Sequence, residues 1–172
     1  MIDRVLTWRA SSRDMLPLRM QTRPVTQAVD EAVRRFTEMI GPEEVDFSST
    51  TDSRLKVRHD AKALNAVVLN LLINAYKYTG ANKRIELSVR DEGNQVLIAV
   101  RDNGRGMGRA ELKRVFQPFY RAEPTDGGQT GGVGLGLPIA RYLIGRHEGG
   151  IDVQSEKGRG ATFTISLPAV NE

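Results

Sequence analysis

The chain has 172 residues, of which 40% are hydrophobic and 27% charged, so it can bury one compact core and is too apolar for a disordered tail. It has no cysteine and only two histidines, which excludes disulfides and disfavours a zinc site. The net charge is +4, and residues 105–121 alone carry five basic residues against one acid, Glu111. That excess suits a small polyanion as readily as nucleic acid, and a solvent-exposed helix face is the plain alternative. No apolar run is long enough to cross a bilayer and no signal peptide is evident, so the expected setting is the cytoplasm.

The hydrophobic spacing predicts an α+β fold. Apolar residues at helical spacing predict helices over residues 2–18, 27–40, 60–79, 109–115 and 137–147. Alternating or short apolar runs predict strands over residues 45–48, 55–58, 84–90, 95–101, 151–155 and 161–167. The first two strands flank a Ser/Thr/Asp turn, and the other four form two hairpins. We therefore expect a mixed, mostly antiparallel sheet with helices on one face.

The long predicted helix carries a second, polar face. Asn70, Asn74 and Lys77 lie at positions i, i+4 and i+7, so their side chains converge in one sector of the helix. Asparagine is a poor helix residue because its amide competes for backbone hydrogen bonds. Amide oxygens are suitable ligands for Mg²⁺, which takes most of its negative charge from substrate phosphates. On spacing alone, two asparagines that simply face solvent are the alternative.

A glycine-containing motif, Asp-Asn-Gly-Arg-Gly, follows a predicted strand at residues 102–106. Its glycines allow a sharp turn and a close approach of the backbone to a flat ligand. The Asp102 carboxylate is suited to accept a hydrogen bond from an amine such as that of adenine. An ordinary Asp-Asn-Gly turn is the alternative.

A second glycine-rich segment, at residues 131–138, leads into the last predicted helix. Free backbone N–H groups at a helix start form an anion site that suits phosphate. The segment does not match a Walker-type loop, because no Gly-x-x-x-x-Gly-Lys-[Ser/Thr] occurs in the chain. A flexible linker is the alternative.

Taken in order, four motifs resemble the catalytic ATP-binding domain of bacterial sensor histidine kinases, in the GHKL superfamily. They are Asn-Leu-Leu-Ile-Asn-Ala-Tyr-Lys-Tyr (70–78), Asp-Asn-Gly-Arg-Gly (102–106), Phe-Gln-Pro-Phe (116–119) and Gly-Val-Gly-Leu-Gly-Leu (132–137), which match the N, G1, F and G2 boxes. The resemblance covers roughly residues 22–170 and implies a two-layer α/β sandwich of the Bergerat type. One departure is Ala161, where family members usually carry Thr.

The resemblance implies Mg-ATP as ligand and assigns a role to each matching residue. Asn74 would coordinate Mg²⁺, Asn70 would support the metal–phosphate cluster, and Lys77 would meet the phosphates. Residues 105–133 correspond to the ATP lid. At the other end, Tyr78 would stack on adenine and Asp102 would accept a hydrogen bond from the adenine amine, in a pocket shaped by Gly104 and Gly106. Arg121 would lie near the γ-phosphate. The residues of the phosphate-binding loop would be Gly132, Gly134, Leu135, Gly136 and Leu137.

One position bears on the type of reaction. Hydrolases of the superfamily typically place Glu one turn before the metal-binding asparagine, where it activates water. That position is Asn70 here, and an amide cannot take a proton. Phosphoryl transfer to an external acceptor is therefore favoured over hydrolysis, with catalysis by positioning and charge stabilisation.

The acceptor histidine is expected outside this chain. Such kinases phosphorylate a histidine in a His-[Glu/Asp]-x-x-x-Pro motif, and neither His59 nor His147 has the proline. We expect residues 1–20 to be the end of a dimerisation-domain helix and linker, and residues 21–172 to be the catalytic domain. The expected partners are ATP, the dimerisation domain of the same kinase and, indirectly, a response regulator. No nucleic acid and no membrane contact are expected for this part, while a membrane anchor of the full-length parent is left open.

Other functions remain open on the sequence alone. A free-standing GHKL ATPase or an anti-sigma-type serine kinase would share the fold and differ in turnover. A degenerate module would bind nucleotide without donating phosphate. An unrelated nucleic-acid-binding domain would fit the sequence pI of about 9.6 and predicts salt-sensitive DNA binding.

Overall fold

The computed structural model describes residues 17–41, 45–121 and 132–170. The helices of this part are α1 (Thr26–Ile40), α2 (Ala61–Tyr78), α3 (Arg109–Leu112) and α4 (Gly136–Arg146). The strands are β1 (Gln21–Arg23), β2 (Val45–Asp52), β3 (Val57–His59), β4 (Lys83–Glu92), β5 (Gln95–Asp102), β6 (Gly150–Ser155) and β7 (Ala161–Pro168). None of these helices is both long and apolar enough to span a membrane.

The main sheet has five strands in the order β2-β4-β5-β7-β6. Only β2 and β4 run parallel, and the other neighbours are antiparallel. A separate two-stranded antiparallel sheet joins β1 to β3. The predicted α+β fold with a mixed, mostly antiparallel sheet is confirmed.

One face of the main sheet forms the core. Alternate residues of its central strands are buried, as the period of two in a strand requires, and α1, α2 and α4 bring their apolar residues to the same core. At the seam between α1 and the sheet, the ring of Phe36 meets Phe47 and Tyr76 edge to face, with centroids 5.4 and 6.4 Å apart. The apolar face of α2 thus packs on the sheet. The same helix carries the polar face of Asn70, Asn74 and Lys77 that the sequence predicts.

The predicted N-cap of the long helix is present. The Asp60 side chain accepts a hydrogen bond from the Ala63 backbone N–H at 3.0 Å, which satisfies one of the free donors of the first turn of α2. The helix ends at Tyr78, one residue before the predicted end. The start of α2 is therefore fixed by its cap.

Several predicted boundaries are wrong. The strand predicted at 45–48 runs on to Asp52, because β2 is an edge strand whose exposed Ser and Thr residues need no core. The strand predicted at 55–58 is Val57–His59 and pairs with β1 rather than across a turn. The helix predicted at 109–115 covers only Arg109–Leu112. The helix predicted at 2–18 lies outside the described residues except for Pro17 and Leu18, which are not helical.

His59, the last residue of β3, is fully buried. Its Nδ1–H donates to the Val57 carbonyl at 3.0 Å, and its Nε2 has no hydrogen-bond partner in the described part of the chain. Burial lowers the pKa of the ring, and the charge of Arg23 acts in the same direction. The folded protein therefore resists taking up a proton that the unfolded chain accepts.

This lowered pKa predicts a loss of stability in mild acid. An unfolded histidine binds its proton near pH ~6.5, so the free energy of unfolding should fall as the pH drops below about 6.5 toward the lower folded pKa. Urea unfolding of wild type and His59→Leu at pH 7.5 and pH 5 measures the effect. The loss between the two pH values should be smaller in the variant. An equal loss in both proteins would remove His59 as the cause.

Candidate functional site

A cavity of about 360 Å³ lies between α2, the end of β5 and the start of α4. Every predicted site residue except Gly104 lines it. These residues are Asn70, Asn74, Lys77, Tyr78, Asp102, Gly106, Arg121, Gly132, Gly134, Leu135, Gly136 and Leu137. The three separate sequence motifs therefore meet at one site, as the resemblance implies.

Asp102 is a buried carboxylate at the end of the central strand β5, with 8% of its surface exposed. Its Oδ1 accepts hydrogen bonds from the backbone N–H groups of Gly104 at 2.8 Å and Ala161 at 3.3 Å. Burial raises the pKa of this carboxyl, and the two N–H groups oppose the rise. Both hydrogen bonds to the Asp102 side chain within the described residues fall on Oδ1, which leaves Oδ2 as an acceptor for a ligand.

Near Asp102, Gly104 and Ala161 act through their backbone N–H groups rather than through side chains. Gly104 does not line the cavity, but its N–H group orients the carboxylate that does. Ala161 replaces the usual Thr and contributes through its own backbone N–H, which does not require a particular side chain. Gly106 has φ +65°, and a Cβ there would overlap the Glu156 carbonyl oxygen, so only glycine fits this turn without strain.

The asparagine face of α2 lies against the start of α4. A Cβ on Gly136 would fall 3.1 Å from Cγ of Asn70, so the absence of a side chain there lets the two helices approach. The Asn70 Nδ2 group is buried without a hydrogen-bond partner among the described residues. The first turn of α4 also has no side-chain cap. An unpaired amide and uncapped N–H groups in one cavity wall fit a ligand rich in acceptor oxygens, as phosphates are.

The basic stretch divides into two groups in the structure. Only Arg105 and Arg121 of its five basic residues line the cavity, so the other three lie outside it. Arg105 forms a partly buried ion pair with Glu111, with an N–O distance of 2.9 Å, and its guanidinium lies 5.9 Å from the centroid of the Tyr78 ring. The sequence does not indicate this pairing, because Glu111 is a single acid within a basic run.

The Phe-Gln-Pro-Phe motif connects the cavity to the core. The ring of Phe116 packs edge to face on Phe163, with centroids 6.3 Å apart, while the Phe119 backbone N–H donates to the Gly134 carbonyl at 2.9 Å. The motif thus joins the glycine loop to the sheet. Residues 122–131 of the predicted ATP lid lie outside the described residues.

Some cavity residues were not identified from the sequence. They are mainly apolar or aromatic side chains whose spacing is that of an ordinary core, such as Ala66, Met107, Tyr120 and Leu143. A ligand pocket is expected to be lined mostly by such groups around a few polar ones. Only a three-dimensional arrangement separates them from core residues.

Comparison with known proteins decides the family. Residues 59–171 match the family model described as histidine kinase-, DNA gyrase B-, and HSP90-like ATPase. The chain belongs to this family. Within this ATPase family, the chain is 34% identical to the sensor-like histidine kinase SenX3 of Mycobacterium tuberculosis over 148 residues, covering 86% of the chain and 36% of SenX3. It is 33% identical to the sensor histidine kinase RppB of Synechocystis over 141 residues, covering 81% of the chain and 31% of RppB.

Solved structures agree with this assignment. The catalytic domain of histidine kinase ThkA aligns with a TM-score of 0.76 at 26% identity, covering 90% of this chain and all of the ThkA chain (100%). The resemblance to the ATP-binding domains of histidine kinases is therefore confirmed. This ATPase-family chain spans about a third of the length of the curated relatives that it matches, with 36% and 31% of two of them covered.

The position of Asp102 leads to a sharp prediction. In Asp102→Asn, the amide oxygen can keep the backbone N–H bonds, so the amide nitrogen replaces Oδ2. If Asp102 accepts from the amine of adenine, as the resemblance implies, the variant turns a donor toward that amine. We expect ATP affinity to fall about 5- to 150-fold, which corresponds to roughly 1–3 kcal/mol for an unsatisfied buried group. Calorimetry measures the affinity, with the exposed Asp152→Asn as matched control.

Stability separates this effect from misfolding. Because burial already disfavours the charged form of Asp102, the neutral amide should leave the free energy of unfolding at pH 7 unchanged or higher. Unchanged ATP affinity in a folded Asp102→Asn variant would contradict the role in adenine recognition.

Proposed function

We propose that the cavity binds Mg-ATP and that the domain donates the γ-phosphoryl group to a histidine on a dimerisation helix of the same kinase. The observation that carries the proposal is Asn70, a neutral amide in the cavity wall one turn before Asn74. Asp102 is the only carboxylate among the described residues that line the cavity, and its Oδ1 is already bound to backbone N–H groups. No group in that set is placed to activate water beside the phosphates.

The phosphate end of the site is supplied by α2 and α4. The Asn74 side-chain oxygen is the proposed Mg²⁺ ligand, the Asn70 amide supports the metal–phosphate cluster, and the Lys77 ammonium meets the phosphate oxygens. When bound, Mg²⁺ neutralises charge on the phosphates and so eases its build-up on the leaving group. The unpaired Asn70 Nδ2 and the uncapped start of α4 support this placement, because both provide N–H groups to phosphate oxygens.

The adenine end is supplied by β5 and the end of α2. Asp102 is proposed to accept from the exocyclic amine and Tyr78 to stack on the ring, with Gly104 and Gly106 shaping the turn between them. Arg121 is proposed to approach the γ-phosphate. The loop residues that contact the phosphates in this proposal are Gly132, Gly134, Leu135, Gly136 and Leu137.

The acceptor is proposed to lie outside the described domain. Both histidines of the chain are buried, His59 with 0% and His147 with 2% of the surface exposed, so neither can reach a γ-phosphate in line. The transfer would break the bond between the γ-phosphorus and the β–γ bridging oxygen and form a phosphorus–nitrogen bond to the acceptor imidazole, with ADP leaving. A response regulator would then receive the phosphoryl group.

In this proposal residues 1–20 continue from the dimerisation domain, residues 21–172 are catalytic, and the setting is the cytoplasm.

This proposal predicts what the chain does alone and with an acceptor. Alone it should bind Mg-ATP, hydrolyse it slowly and remain unlabelled by γ-³²P-ATP. Mixed with its own dimerisation helices as a separate polypeptide, it should phosphorylate their histidine, weakly because the tether's effective concentration is lost. Asn74→Ala should abolish the transfer by removing the metal ligand, while the exposed turn variant Asn94→Ala should not change it.

Two outcomes would overturn the proposal. Acid-labile phosphate on the isolated chain would make His59 or His147 the acceptor. Rapid hydrolysis by the isolated chain would make it an ATPase.

A further inference from the structure

Asp60 joins three parts of the chain at one point. Its Oδ1 caps α2 through the Ala63 N–H, and its Oδ2 accepts from the Arg19 backbone N–H at 2.6 Å. Its own backbone N–H donates to Nε2 of His147 at 3.0 Å, just beyond the end of α4. The segment that precedes β1, the start of α2 and the end of α4 are therefore linked through one residue.

His147 can take part in this link in only one form. Its Nδ1 lies 2.6 Å from the Leu143 carbonyl oxygen, which can only accept, so Nδ1 carries the hydrogen. Nε2 is then the acceptor that the Asp60 N–H requires. The ring has 2% of its surface exposed, so water does not replace this contact.

The same helix reaches the cavity at its other end. The 11 residues of α4 span about 16 Å, from Gly136 against Asn70 to the His147 contact with Asp60. Leu143, whose carbonyl holds the His147 ring, also lines the cavity. Because α4 is one continuous helix packed on α2, we expect a displacement at its His147 end to reach the residues at the cavity.

We propose that His147 is a positioning residue that couples the segment before β1 to the nucleotide cavity. When the Asp60–His147 hydrogen bond is formed, α4 is packed against α2 and the Arg19 backbone N–H is bonded to Asp60. We call this Arg19–Asp60 hydrogen bond the tether. Nucleotide binding and the tether then favour each other, and the coupling is reciprocal by linkage. The inference rests on the proposed binding of ATP to the cavity.

The Arg19 amide reports the coupling directly, because its N–H is the donor of the tether. Hydrogen exchange of this amide is measured by NMR on the full 172-residue chain, with and without saturating Mg-AMPPNP, a non-hydrolysable ATP analogue. In the wild type, the analogue should slow exchange about fivefold, the lower end of measured couplings. In His147→Leu the analogue should leave Arg19 exchange unchanged. His147→Gln should restore the effect, since its amide oxygen can accept from Asp60.

A second pair of variants tests the reverse direction without touching the core. Arg19→Pro removes the N–H donor and should weaken Mg-AMPPNP binding about fivefold, by the same coupling. Arg19→Ala keeps the N–H and removes only an exposed side chain, so it should bind like the wild type. This pair decides the question even where His147→Leu does not fold.

The outcomes separate this inference from the proposed function. Wild-type chain that does not bind Mg-AMPPNP contradicts the proposed function itself. The coupling is overturned if the wild-type chain binds the analogue and hydrogen exchange of the Arg19 amide does not change. It is also overturned if the analogue slows this exchange equally in the wild type and in His147→Leu. Equal affinity of Arg19→Pro and Arg19→Ala does so as well.

Discussion

The fixed carboxylate of Asp102 is the constraint around which the proposed adenine end of the site is organised. A buried carboxylate needs hydrogen-bond donors, and here they are backbone N–H groups from the turn after β5 and from the start of β7. Both donors depend on the central pairing of β5 with β7 and on a glycine turn that no larger residue fits. Oδ1 is thereby bonded to the backbone, and Oδ2 is left to accept a hydrogen bond from a ligand. The sheet thereby holds Asp102 in the wall of the cavity.

The proposed phosphate end follows from the packing of two helices. Gly136 lets α4 approach α2 closely enough to bury the Asn70 amide, and the start of α4 then faces the same space as Asn74 and Lys77. The donors are preorganised by helix packing and need no rearrangement to meet an anion. In the proposed function, a neutral amide in the place of a general base lets the described residues at this end bind and orient the phosphates without activating water. That combination suits a domain that passes its phosphoryl group to another part of a protein.

The sequence predicted the parts of the fold whose signals are local. The N-cap at Asp60 and the strong apolar stripe that follows it gave the long helix to within one residue at each end. The hairpin of β4 and β5 and the two glycine motifs were predictable because each contains glycine and other turn-forming residues in a short stretch of sequence. The asparagine face was visible because it departs from what a helix normally prefers.

Long-range pairings were not predictable in the same way. The pairing of β1 with β3 and the parallel pairing of β2 with β4 depend on which edges remain free once the sheet forms. The Arg105–Glu111 ion pair and the contact of His147 with Asp60, 87 residues apart in sequence, need the folded backbone to bring their atoms together. Apolar cavity residues share the pattern of core residues, so only geometry distinguishes them.

A comparison of two nucleotides shows whether a fixed Asp102 oxygen accepts a hydrogen bond from the amine of adenine. Inosine triphosphate differs from ATP in its base, where a carbonyl oxygen replaces the six-position amine and the neighbouring N1 carries a hydrogen. Facing Asp102, that oxygen places one acceptor against another, so calorimetry with Mg²⁺ present should show binding at least about tenfold weaker than for ATP. Equal affinities for the two nucleotides would contradict the account.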